Sequence, residues 1–249
     1  VWLIAKYTNF KKNLTNIMIS IVLPTYNEKE NIKKLIPLLM DFSKEENIKL
    51  EIVVVDDNSP DGTSDYVRIM MKKYKNIVLH VRERRLGQGS ACYYGYKISS
   101  GSKIIGMDVD LSHNPKEIPK ILKKMESCDL VVASRHMEGG EYEKKKSETK
   151  IKYLYSYFGN KLAKKLTNID IHDFTNGFRG FDRKVLKNLD IKSTGNSFFM
   201  EFIIKVQYNG FKIGEIPSTF KDRENGESKL SIFKESFKFL KDLVAYSYK

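Results

Sequence analysis

The stretch MISIVLPTYNEKENIKKLIPLLMDFSKEENIKLEIVVVDDNSPDGT, residues 18–63, decides the fold. It holds two short apolar runs, Ile19–Pro24 and Leu50–Val55, around a segment whose apolar residues recur at helical spacing. Short continuous apolar runs read as strands buried on both faces. The helix between them is expected from Glu28 to about Phe42, with Asn27 as its N-cap and Glu30 completing a capping box.

The alternation continues downstream. Ser59-Pro60 offers a cap and an N1 proline for a helix reaching Tyr74. Ile77–Val81 reads as a strand, Gln88–Ser99 as a helix and Lys103–Met107 as a strand. Asn114-Pro115 opens a helix to about Met125, and Asp129–Ser134 is a fifth strand. Strands with intervening helices imply an α/β fold, a mostly parallel sheet covered on both faces. After Ser134 the pattern loosens. His136–Lys150 is polar, carries Gly139-Gly140 and Lys144-Lys145-Lys146, and reads as a mobile loop. Ile151–Leu166 reads as an amphipathic helix, Phe174–Phe181 as a short strand or turn, and Phe198–Tyr208 as an apolar helix ended by Asn209-Gly210. Phe211–Phe220 is strand-like, Lys221–Lys229 a polar loop, and Ser231–Tyr248 a second amphipathic helix. The expected organisation is an extension at residues 1–17, with Met18 a candidate natural start, one main domain at 18–230, and a C-terminal amphipathic helix at 231–249.

The chain has 249 residues, which suits one large domain with a small appendage. Hydrophobic residues make up 41%, enough for a core and too many for a disordered chain. The formal charge of +13 favours anionic partners: nucleic acid, phosphate-bearing substrates or acidic lipid headgroups. Cys92 and Cys128 lack metal-ligand spacing and read as core thiols in a reducing compartment. No apolar run approaches the roughly 18 residues needed to cross a bilayer. Val1–Ala5 is apolar but stops at Lys6, so no signal peptide is expected.

Three turns carry chemistry. Pro24-Thr25-Tyr26-Asn27-Glu28 follows the first strand without the glycines that a dinucleotide-binding fold needs there. Its ring and carboxylate suit a nucleoside; the plainer reading is a turn with a helix cap. The second strand ends in Asp56-Asp57, and adjacent acids at a strand end point opposite ways, so one of them faces a ligand. A carboxylate there can accept from a ring N–H of guanine or uracil. Ordinary turn chemistry accounts well for Ser59–Gly62 and less well for the acids. The fourth strand ends in Asp108-Val109-Asp110-Leu111-Ser112-His113. If the strand persists, Asp108 and Asp110 share a face and converge on one cation. Oxygen ligands select Mg²⁺ or Mn²⁺, which would neutralise a leaving diphosphate. His113 reads as a loop residue and not as a ligand.

In this order, PTYNE (24–28), DDNSPDGT (56–63), RERRLGQGSA (82–91), MDVDLSHNP (107–115), ASR (133–135), NGFRGF (176–181) and KDRENGESK (221–229) resemble the inverting GT-A glycosyltransferases of family 2. Within them the chain is most similar to the dolichol-phosphate mannose synthases, over about residues 19–245. The departures are Val109, where alanine is usual, and lysines in place of some arginine at 136–150. The resemblance implies a Rossmann-like GT-A sheet with C-terminal amphipathic helices. It implies that Pro24, Tyr26, Glu28, Val55 and Asp57 hold the nucleoside, that Asp108 and Val109 border the donor, and that Asp108, Asp110 and Ser112 form the metal site. It places Arg135, Arg223 and Lys229 on phosphates, forming with Asp110 the catalytic set. It also implies GDP-mannose as donor, dolichyl or polyprenyl phosphate as acceptor, inversion at the sugar, and peripheral placement at the cytoplasmic face of a membrane, with a possible anchoring partner subunit.

Two rivals stand beside this reading. One is a polyprenyl-phosphate glucosyltransferase using a UDP-sugar. The other is a basic nucleic-acid-binding protein, against which acids at the strand ends would repel a phosphate backbone. Two stripes bear on the membrane. Ile151, Leu154, Tyr155, Phe158 and Leu162 recur at helical spacing among lysines, as do Phe233, Phe237, Leu240 and Val244. The expectation is that at least one of them seats on anionic lipid, against the plainer reading of helices packed on the sheet.

Overall fold

A computed structural model describes residues 17–142, 147–221 and 232–247. Its centre is β1 (Met18–Thr25), whose Ile21, Val22 and Leu23 are fully buried. β1 pairs in parallel with β2 (Lys49–Asp56), and α1 (Lys29–Glu46) crosses between them. Beyond α2 (Thr63–Lys73), β3 (Ile77–Val81) adds to the outer side of β2. α3 (Gln88–Ile98) then returns the chain to β4 (Lys103–Gly106), parallel on the other side of β1. A short 3₁₀ turn and α4 (Ile118–Lys124) lead to β5 (Leu130–Ser134). β6 (Glu141–Tyr142) and α5 (Ser147–Thr167) follow. β7 (Arg179–Asp182) then enters between β4 and β5, antiparallel to both. After α6 (Ser197–Tyr208), β8 (Ile213–Pro217) lies parallel on β5. β9 (Thr219–Phe220) leaves the sheet to pair with β6, and α7 (Ile232–Ser247) packs on α5 and α6.

The sheet order is β3-β2-β1-β4-β7-β5-β8. Ile21, Leu23 and Ile52 face a core shared with Ile32, Leu35, Val67 and Ile121, while Val22, Val53 and Val55 face one built from Tyr96, Phe198 and Phe202. The expected mostly parallel sheet with helices on both faces is therefore present.

Helix starts differ from the sequence expectation. Asn27 is left-handed (φ 57°), α1 begins at Lys29, and no capping box forms, because Glu30 pairs with Lys33 at 2.7 Å. The N–H groups of Asn27, Glu28 and Lys29 are taken instead by Ser59 Oγ (2.9 Å), Thr63 Oγ1 (3.1 Å) and Asp61 Oδ2 (3.0 Å), caps supplied from the next loop. α1 also runs past Phe42 to a left-handed Asn47. Ser59-Pro60 does not open α2. Ser59 is bound to Asp56 through its N–H and hydroxyl, and the helix starts after Gly62. Asn114 does cap, accepting from Lys116 N–H at 3.0 Å. Part of the expected loop 136–150 is ordered as β6 and the first turn of α5; Lys144-Lys145-Lys146 lies outside the described residues. The strand expected over Phe211–Phe220 is interrupted at Ser218, whose N–H still donates to Ser134 O at 3.0 Å while its carbonyl accepts from Glu141 N–H at 3.0 Å, passing the chain from β5 to β6.

α3 crosses the central strands closely. A Cβ at Gly95 would stand 2.4 Å from Val22 Cγ1 and 3.0 Å from Val55 Cγ2, both in fully buried side chains. Helix propensity favours alanine over glycine by about 1 kcal/mol, whereas overpacking costs about 1–3 kcal/mol. The clash should win. Gly95→Ala is expected to lower the thermal midpoint by several degrees, at roughly 2–4 °C per kcal/mol for a chain of this size. A midpoint unchanged or raised in a calorimetric scan would show slack between α3 and the sheet.

Candidate active site

β1, β2, β3, β4 and β5 are parallel, so their C-terminal ends share one edge of the sheet. β7 runs the other way, so the turn before it reaches that same edge. Ligands of open α/β sheets bind there.

On one side lies the candidate nucleoside site. Tyr26 is half-buried, and the Arg85 guanidinium sits 4.6 Å from its ring centre. The Glu28 carboxylate accepts from Asn31 Nδ2 at 2.6 Å. Pro24 is half-buried at the end of β1. Val55 is fully buried in the core, so only its main chain is left to border a ligand. The two adjacent acids do divide. Asp56 accepts from Thr25 Oγ1 (2.8 Å), Ser59 N–H (2.9 Å) and Ser59 Oγ (2.6 Å), and serves the turn. Asp57 is buried, but both its oxygens are engaged: Arg82 Nε and Nη2 donate to one, and the N–H groups of Leu86 (3.1 Å) and Gly87 (3.2 Å) to the other. Asp57 thus pins the 82–87 segment as a wall of the site. Gly87 is needed there: its φ is +100°, and a Cβ would stand 2.6 Å from Thr194 O.

β4 ends at Gly106, before the position expected from the sequence, so Asp108 and Asp110 lie on the loop that follows and not on a strand face. Leu111 is left-handed (φ 62°) and folds this loop back, so that Ser112 donates to Asp110 through its N–H (3.1 Å) and its hydroxyl. Val109 is buried in the core and anchors the loop. Asp108 Oδ1 accepts from Gln88 Nε2 at 2.7 Å. Asp108, Asp110 and Ser112 offer only hard oxygen donors. Two carboxylates completed by substrate phosphates and water suit Mg²⁺ or Mn²⁺. Among the described residues no group of three or more His, Cys, Asp and Glu forms a self-sufficient metal cage. His113 packs on Phe178 and Phe220, and burial pushes its pKa down to about 4, so it is neutral at pH 7.

Arg135 follows β5 and meets Asp173, an acid the sequence reading passed over. Arg135 Nε and Nη2 donate to its two oxygens at 2.7 and 2.9 Å. Burial alone would raise the Asp173 pKa, but the Arg135 charge and hydrogen bonds outweigh it and hold the carboxyl far below its usual range. Arg179 is wholly buried, donating to the carbonyls of Asn176 and Phe199, so it braces the 173–179 turn from behind. That turn borders the acidic loop, since a Cβ at Gly177 would stand 3.2 Å from Asp108 Oδ1. Arg82 and Gln88 stood in a recognised motif, but no local pattern pairs them with Asp57 and Asp108. Arg223 and Lys229 lie outside the described residues. Their segment starts at the site, where Lys221 N–H donates to Ser112 O at 3.0 Å.

The amphipathic helices flank this edge. α5 turns Ser156 and Asn160 inward: Ser156 Oγ lies 3.0 Å from His136 Nε2, and Asn160 Oδ1 accepts from Phe174 N–H at 2.8 Å. Its apolar stripe, Ile151, Leu154, Tyr155, Phe158 and Leu162, faces outward, with Phe158 64% exposed. On α7, Phe237 is 74% exposed, beside exposed Leu240 and Val244, while Leu243 is buried. The side chain of Phe233 is outside the described residues. No helix among the described residues is long and apolar enough to cross a membrane.

The Asp57–Arg82 pair yields a stability prediction. Removing one partner of a buried ion pair costs about 3–5 kcal/mol, because the other is left uncompensated. Asp57→Ala should therefore lower the melting temperature by on the order of 10 °C, besides any loss of nucleotide binding. An unchanged melt with weakened nucleotide binding would instead make Asp57 a pure ligand contact.

The profile of "Glycosyl transferase family 2" matches residues 20–190. A dolichol-phosphate mannosyltransferase of Pyrococcus furiosus is 34% identical over 90% of this chain, which spans 62% of that relative, less than two thirds of it. An undecaprenyl-phosphate mannosyltransferase of Micrococcus luteus is 32% identical over 84% of this chain and 86% of its own length. Among solved structures, glucosyl-3-phosphoglycerate synthase from Mycobacterium tuberculosis, in complex with Mn²⁺ and UDP-glucose, superposes with a TM-score of 0.72 at 16% identity, over 96% of this chain and 82% of that one, a likeness of fold. With an α/β sheet of this order and its acids gathered at the strand ends, the chain belongs to glycosyl transferase family 2 and is a glycosyltransferase.

Proposed function

We propose that the chain transfers mannose from GDP-mannose to a polyprenyl phosphate, dolichyl phosphate or a relative of it, with inversion at the anomeric carbon. The observation that carries the reading is the likeness, over 84% of this chain and 86% of the relative, to an undecaprenyl-phosphate mannosyltransferase. The outward stripes of α5 and α7, flanked by exposed Lys161, Lys165, Lys238 and Lys241, support a lipid-borne acceptor. The same reading includes a peripheral seat at the cytoplasmic face of a membrane, directly or through an anchoring subunit.

In this reading Tyr26, Glu28 and the 82–87 wall hold the nucleoside, with Pro24 and Val55 framing it through the main chain. Asp108, Asp110 and Ser112 hold Mg²⁺ or Mn²⁺, which supplies charge neutralisation for the departing diphosphate. Arg135, Arg223 and Lys229 orient phosphate oxygens. The acceptor is a phosphate monoester with a second pKa of about 6, so at pH 7 it is already largely a dianion and needs no general base. The buried, neutral His113 fits a site with no such base.

A transfer assay with GDP- and UDP-sugars, a polyprenyl phosphate and Mg²⁺ or Mn²⁺ tests the reading. Transfer from GDP-mannose is expected, with Asp110→Ala losing activity by orders of magnitude while the fold survives. Full activity in excess EDTA would remove the metal from the scheme, and transfer from UDP-sugars alone would replace the donor.

The membrane seat is tested separately. Replacing Phe237 and Leu240 together with serine should leave the melting temperature nearly unchanged, since both are exposed, and reduce binding to anionic liposomes. Undiminished liposome binding would exclude this face of α7 as the seat.

A further inference from the structure

We propose that Asp173 is a positioning residue, fixing Arg135 so that one edge of its guanidinium is presented to the acceptor phosphate; this rests on the functional reading above. Arg135 receives three constraints from one carboxylate. Its main-chain N–H donates to Asp173 Oδ2 at 3.1 Å, Nε to the same oxygen at 2.7 Å, and Nη2 to Oδ1 at 2.9 Å. Nη2 also donates to Thr175 Oγ1 at 2.8 Å. The ring centres of Tyr142 and Phe220 lie 5.7 and 5.5 Å from the guanidinium carbon. The guanidinium's hydrogen bonds run from Nε and Nη2, none runs from Nη1 among the described residues, and a tenth of the side chain stays exposed, so Nη1 is the edge left for a ligand to meet.

The carboxylate is itself held from several directions. Oδ1 accepts from Thr175 N–H (3.2 Å), Thr175 Oγ1 (3.1 Å) and Asn176 N–H (3.1 Å). The N–H of Asp173 donates to Glu215 Oε1 on β8 at 3.0 Å. Asn176 Nδ2 donates to the carbonyl of Ala133, two residues before Arg135. Thr175 Oγ1 also lies 3.3 Å from Ser156 Oγ, on the inward face of the helix whose other face is the apolar stripe.

A buried ion pair is on average no more stabilising than apolar packing of the same volume, so stability alone gives no reason for one at this edge. Orientation does. The pair is nearly neutral overall, so Arg135 offers directed N–H groups in a fixed plane and little net charge. Recognition of a phosphate by a guanidinium depends on that plane.

The test compares the wild-type chain with Asp173→Asn, using a short-chain polyprenyl phosphate as probe. Binding of the probe and of GDP is followed by titration calorimetry, and transfer by steady-state kinetics. An arginine released from its pair must be ordered anew by the ligand, so affinity for the probe and the acceptor KM should worsen about ten- to thirty-fold, with GDP binding unchanged. If Asp173 acts through Arg135, Asp173→Asn combined with Arg135→Lys should be no worse than Arg135→Lys alone. Equal losses toward GDP and the probe, or losses that multiply in the double variant, would show a merely structural role and overturn the proposal. Should Asp173→Asn fail to fold, Thr175→Val removes the hydroxyl that Nη2 reaches; a several-fold loss of probe affinity is then expected, and an unchanged affinity overturns the proposal. A wild-type chain that binds the probe but transfers no mannose sinks the functional reading while leaving the binding comparison intact.

Discussion

β7 runs against both its neighbours, and the site depends on that one reversal. In a wholly parallel sheet the segment before a strand lies at the edge away from the ligand. Because β7 is antiparallel, the turn at 173–178 comes up between the ends of β4 and β5 and meets both of their loops. It brings Asp173 to Arg135 and Gly177 to Asp108. The wholly buried Arg179, at the start of β7, bonds back to this turn and holds it in place. Arg179 has no carboxylate partner among the described residues and is costly to bury, a cost that its hydrogen bonds to two carbonyls and its contacts with Phe199 and Phe202 offset in part.

The edge is organised by polar pairs. Asp57 takes Arg82, Asp173 takes Arg135, and Asp108 takes Gln88. Each ties one loop to another: β2 to the segment after β3, β5 to the turn before β7, and the acidic loop to the start of α3. Such pairs are poor sources of net stability, but each has a narrow geometry, so together they fix the spacing of loops that have no sheet ladder to hold them.

The strands were legible because burial on both faces writes itself as a run of Ile, Val and Leu, and the acids at their ends were legible because a parallel sheet has one ligand edge. What the sequence concealed was long-range. The cap of α1 comes from Ser59, Asp61 and Thr63, so a local search at Asn27 finds a plausible box that does not form. Asp108 and Asp110 suggested a strand face, but the ladder stops at Gly106 and a left-handed Leu111 sets the loop. Asp173 carries no local signal, being one acid in the stretch between α5 and β7. Only the insertion of β7 between β4 and β5 gives it a partner.

α5 has two unlike faces, and this joins the surface to the site. Outward it shows Phe158, Leu154 and Ile151, which gain nothing from water; inward it hydrogen-bonds through Ser156 and Asn160 to the segments that carry His136, Phe174 and Thr175. In the proposed peripheral seat, lipid would take the first face, while the second contacts the turn that holds Arg135. In the proposed reaction the acceptor is anchored by its hydrocarbon, so its phosphate can be presented only within a short distance of the membrane plane. A guanidinium held through Thr175, which Ser156 of this helix contacts, would then meet the phosphate at a fixed height, which a cation on a freely moving loop would not do.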